Sequence, residues 1–171
     1  YSVAVNSTGS QVAIADSNAH CVHVLSLETN KYFRVDHAGA TPLDAPIGVA
    51  WGDRLLFVSD PPRGTVDVFD PNGPQFLYIR TLGAGRISRP TGMAYEKEQD
   101  LLYVCDSAQH RVVVMDARGV IVRTIGGPGG EEGEFRFPVH VACSSDASIA
   151  VADSMNFRVQ RFSAADGGFL G

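Results

Sequence analysis

Three features of the sequence predict an all-β fold built as a β-propeller of four-stranded antiparallel blades. One grammar recurs four times with a period near 45 residues. Each copy breaks into apolar runs of four to seven residues, rich in Val, Ile, Phe and Tyr and bounded by Gly, Pro, Asp, Asn and Ser. No segment sustains a helical period.

The first copy holds Val3-Ala4-Val5, Val12 to Ser17 and Cys21 to Leu25. The second holds Pro46 to Trp51, Leu55 to Asp60 and Thr65 to Asp70. The third holds Pro90 to Tyr95, Leu101 to Ser107 and Arg111 to Asp116, and the fourth Pro138 to Cys143, Ile149 to Ser154 and Arg158 to Phe162. The aspartates that close the second run, Asp16, Asp60, Asp106 and Asp153, are 44, 46 and 47 residues apart. Third runs alternate, as in Val66-Asp67-Val68, which marks a strand with one buried face. Fourth runs follow a turn: Phe76 to Ile79 after Pro71-Asn72-Gly73, and Val120 to Val122 after Asp116 to Gly119. Blades are therefore expected near 1–45, 46–89, 90–137 and 138–171, in one propeller domain. A sandwich has no reason to repeat internally. Tryptophan–aspartate and double-glycine repeat signatures do not recur blade by blade.

Of the 171 residues, 44% are hydrophobic and 19% charged, a composition that excludes a disordered chain. A net charge of -5 argues against a surface that tracks nucleic-acid phosphates, so no nucleic-acid partner is expected. No apolar run reaches the ~20 residues of a membrane helix, so no membrane-spanning segment is expected. Cys21, Cys105 and Cys143 lie inside strand-like runs without CxxC spacing and read as unpaired core residues.

The grammar Pro-x-Gly-Val-Ala, Val-Ala-Asp-Ser, then His-Arg-Val-x-Val resembles the NHL repeat. The match is closest in Asp106 to Val114 and Asp153 to Gln160, and Gly126 to Pro138 looks like the Gly-rich, Phe-Pro-ended linker of such repeats. The second copy departs from it, with Asp60-Pro61-Pro62-Arg63-Gly64 in place of the Asp-Ser turn. The resemblance, closest to bacterial exported six-bladed NHL propellers, implies that four blades form an arc of a six-bladed ring. The 171 residues would then be a fragment, in a periplasmic, extracellular or lipoprotein-anchored setting.

In such a blade the turns between strands two and three lie on the same face as the links between blades. That face carries the longest and most varied loops and is the expected binding face. Its candidates are His20, Arg63, His110, His140, Asn156 and Phe157, with His140 standing where Gly48 and Gly92 stand and expected to line the funnel. The repeated aspartates read as structural acceptors for the turn that follows them, and Arg111 and Arg158 as their partners. No nucleophile elbow or phosphate loop is present. The expected function is a non-catalytic binding or scaffold module for a protein, peptide or glycan, with no cofactor. The alternative is a metal-dependent propeller enzyme of lyase or lactonase type with its site at the central funnel, although the histidine motifs of zinc-dependent NHL-like lyases are not reproduced.

Overall fold

The computed structural model describes residues 2–171; Tyr1, which the sequence places in the innermost strand, lies outside them. The chain divides into two compact units, 1–86 and 87–171.

In the first unit, β1 (Ser2–Val5), β2 (Gln11–Asp16), β3 (Cys21–Ser26) and β4 (Tyr32–Val35) form one antiparallel meander. The link that follows folds into a hairpin of β5 (His37–Ala38) and β6 (Thr41–Pro42), where only a loop is expected from the sequence. The second meander is β7 (Gly48–Trp51), β8 (Leu56–Asp60), β9 (Thr65–Asp70) and β10 (Leu77–Leu82). In the second unit, β11 (Pro90–Glu96), β12 (Leu101–Asp106), β13 (Arg111–Asp116) and β14 (Ile121–Ile125) make the third. The fourth blade has three strands, β15 (Pro138–Cys143), β16 (Ser148–Asp153) and β17 (Arg158–Ser163). Phe169 bridges Phe162 at its outer edge.

Period-two alternation decides which residues are buried. In the first blade Ala4, Ala13, Val24 and Phe33 are matched across the four strands on the inward face. They pack with Val49, Leu56, Val58 and Phe69 of the second blade. In the first blade this face runs from Ala4 and Ala13 on the inner strands to Phe33 on the outermost, as twisted sheets that splay apart require. Phe76 fills the outer gap, 5.3 Å from Phe33 and 6.3 Å from Trp51 between ring centroids. The second unit repeats this layout, from Ala94 inside to Phe135 and Phe162 outside, whose centroids are 5.3 Å apart. Each fully buried Phe contributes about 1.5–3 kcal/mol.

The cysteines are unpaired, as the sequence predicts. Burial pushes the Cys105 thiol up and the Cys143 thiol up to about 12, so both stay protonated and inert.

Inner strands of neighbouring blades approach closely. A bulge between Pro90 and Met93 bends the start of β11, and another between Pro138 and His140 bends β15. A Cβ placed on Gly92 would lie 2.5 Å from the Val139 carbonyl oxygen and 2.7 Å from both the Cα and Nδ1 of His140. Glycine is required there because two of those atoms are backbone and cannot swing aside. Gly92→Ala is expected to cost about 1–3 kcal/mol, read as a fall in melting temperature of roughly 3–10 °C.

Candidate functional site

The expected binding face is organised by the aspartate that ends each second strand. In the second blade the buried Asp60 carboxylate accepts the N–H groups of Asp44 at 2.7 Å and Ala45 at 3.1 Å. In the third, Asp106 accepts from Ser88 at 3.0 Å and Arg89 at 2.9 Å. In the fourth, Asp153 accepts from Arg136 at 2.6 Å. These donors lie in the link that precedes the blade, not in the following turn as the sequence suggests. Among the described residues, Asp16 is the one of the four that accepts backbone N–H groups of its own turn, from Ala19 and Asn18, and these hold its carboxyl below the usual range. The reason is topological: link and turn emerge side by side on one face, so a buried carboxylate between them reaches the link.

The other carboxylate edge takes an arginine. Arg111 donates from Nε at 3.2 Å and Nη2 at 3.1 Å to Asp106 Oδ2. Arg158 donates from Nε to Asp153 at 3.0 Å. Where those arginines stand, the second blade has Thr65. Its cation comes from the turn instead, as Arg63, which reaches Asp60 at 3.5 Å and Asp67 at 2.6 Å. Asp67 is fully buried and also accepts from the Thr81 hydroxyl; burial raises its carboxyl against the pull of Thr81 and Arg63. Arg63 is thus engaged within the fold, as is Asn156, whose carboxamide donates to the Gly129 carbonyl at 2.9 Å and to Asp153 at 2.8 Å.

His20, Gly64, His110 and Phe157 share one turn position, and all four adopt the left-handed conformation, with φ of 54°, 63°, 53° and 52°. This conformation costs an ordinary side chain roughly 1–2 kcal/mol, and His is among the residues that tolerate it better. Both histidines reach the link that follows. His20 donates from Nδ1 to the Asp44 carbonyl, whereas His110 Nδ1 accepts from the Phe137 N–H at 3.0 Å. Phe157 makes no such tie. It is 96% exposed, beside Met155 at 57%.

His140 stands on the innermost strand of its blade, exposed and against Gly92 of the neighbouring inner strand. It pairs with Ala152, in the register that sets Pro138 opposite Asp153 at the start of the turn that carries Asn156 and Phe157. The Gly-rich link is stitched to the fourth blade: Arg158 donates to the Glu131 and Glu134 carbonyls, Gln160 donates to the Glu134 carbonyl, and Gln160 accepts from the Gly133 N–H at 2.9 Å. Gln160 and Asp67 carry no motif; a polar residue at an inward strand position is the only sequence mark of such buried networks. Among the described residues no three His, Cys, Asp or Glu side chains are grouped to hold a metal ion. No helix among them is long and apolar enough to cross a membrane.

These strands and loops define a β-propeller. No family model matches the chain. Hydrazine synthase from Kuenenia stuttgartiensis shares the fold, with a TM-score of 0.78 and 20% identity over all of this chain and 47% of that one. Streptogramin B lyase matches with a TM-score of 0.74 and 13% identity over 96% of this chain and 51% of that one. Virginiamycin B lyase from Staphylococcus aureus matches with a TM-score of 0.72 and 12% identity, over 97% and 53%. The chain spans about half the length of the structures it matches.

Asp106→Ala removes the acceptor of two N–H groups and the arginine's partner, and is expected to lower unfolding free energy by about 2–4 kcal/mol. Asp16→Ala, whose carboxylate is part-exposed, should shift the midpoint of the same denaturant titration much less than Asp106→Ala does. Phe157→Gly relieves the left-handed turn with little packing to lose and is expected to stabilise the chain by about 0.5–1 kcal/mol.

Proposed function

We propose that this chain is a non-catalytic binding module whose long-loop face engages a protein, peptide or glycan. The observation that supports it is Phe157. An aromatic ring stands almost wholly in solvent, on a backbone conformation that glycine would hold at lower cost. Folding gains little from that choice, which favours selection for contact with a partner. The turn beneath is rigid: the Ser154 hydroxyl donates to the Phe137 carbonyl at 2.7 Å, and Asn156 is clipped to Asp153 and Gly129. A preorganised apolar pair, Phe157 and Met155, loses little freedom on binding and suits an apolar epitope of a protein or peptide.

The NHL-type grammar supports a six-bladed ring of which these four blades are an arc. The same grammar underlies assignment to a bacterial exported protein, periplasmic, extracellular or lipoprotein-anchored. A lyase-type enzyme is the second reading, favoured by the fold likeness to streptogramin B lyase and virginiamycin B lyase. The ordered, stitched loops of the long-loop face support the binding reading.

Selection of a displayed random-peptide library on the immobilised chain tests the proposal. Enriched peptides with aromatic or aliphatic anchors are expected, binding at least tenfold more weakly to a Phe157→Ser, Met155→Ser variant, about 1.4 kcal/mol. Peptides that bind the variant equally well, or no enrichment, would count against it.

A further inference from the structure

The opposite face of the first unit carries a cavity of about 290 Å³ that the long-loop reading does not use. It lies among the β1–β2, β7–β8 and β9–β10 turns, and its walls include Ser7, Thr8, Trp51, Asp53, Arg54 and Asn72. We infer that this cavity is a binding site for a neutral sugar, one pyranose unit in size.

Four observations lead there. The volume sits at the small end of ligand pockets, ~300 Å³, too small for a peptide segment. The wall is dense in hydroxyl and amide groups, and its two charged residues, Asp53 and Arg54, cancel, which suits an uncharged ligand with many hydroxyls. Among the described residues no hydrogen bond or ion pair engages the side chains of Ser7, Arg54 or Asn72, so they keep donors and acceptors for a ligand. Trp51 supplies the apolar surface that a pyranose ring needs. Its indole is fixed in place, with Nε1 donating to the Ala4 carbonyl at 3.1 Å and its ring set edge-on to Phe76.

The site is also preorganised. The Asn6 carboxamide oxygen accepts the N–H groups of Ser10 at 2.9 Å and Gln11 at 3.0 Å, which freezes the β1–β2 turn that presents Ser7 and Thr8. A wall that is already ordered loses little entropy when it binds.

Trp51 is the sole tryptophan of the chain, so its emission reports on this cavity directly. Titration with the methyl pyranosides of glucose, galactose, mannose and N-acetylglucosamine is expected to change that emission saturably for at least one of them. The midpoint should fall on the order of 1–10 mM, as for a ligand of about a dozen atoms in an open polar site. Arg54→Ala and Asn72→Ala lie on exposed turns and should leave circular dichroism and melting temperature unchanged while together weakening the response at least tenfold. No saturable change with any of the four up to ~100 mM, an equal response to glycerol, or a response unaltered in the double variant would overturn the inference. The long-loop proposal is untouched by any of these outcomes, since its variants lie in the other unit.

Discussion

The fold depends on a buried carboxylate at the end of the second strand of a blade. Hydrophobic packing brings the sheets together but leaves the ends of the links, where they enter each blade, without strand partners. Each link must place backbone N–H groups near the core, and an unpaired buried donor costs about 1–3 kcal/mol. Asp60, Asp106 and Asp153 answer this by accepting from the link on one side while an arginine neutralises the other. The carboxylate is thus the hub where the incoming link, the 2–3 turn and the third strand meet. Arg63 shows how firmly the requirement holds: where Thr65 removes the usual cation, a turn residue supplies one.

Strand positions and the repeat were legible in the sequence because period-two alternation and turn residues act locally. The direction of the aspartate's hydrogen bonds was not, because the donors lie 15 to 18 residues upstream and become neighbours only when the meander folds. The β5–β6 hairpin escaped notice for a different reason. Strands of two residues have no period to read, and Leu43 is held there by burial and by an N–H bond to the Asp36 carbonyl.

The candidate residues separate by what the fold asks of them. His20 and His110 fasten turns to links, and Arg63 and Asn156 complete carboxylate networks. His140 lies on an inner strand against Gly92. Phe157, 96% exposed, has no internal task, and the sequence marks it by its place in the turn and not by its exposure. Exposure of an aromatic cannot be read from a motif, because the same position holds His in two blades and Gly in another. The cavity beside Trp51 was equally hidden, as three turns from two blades assemble it.

Amide hydrogen exchange followed by NMR tests the carboxylate hub most directly. Ser88, Arg89 and Arg136 belong to links outside the strands, yet their N–H groups are held by Asp106 and Asp153. The account predicts that these three amides exchange as slowly as those of β12 and β16, the strands the aspartates terminate. Exchange at the rate of an open loop, several orders of magnitude faster, would contradict it.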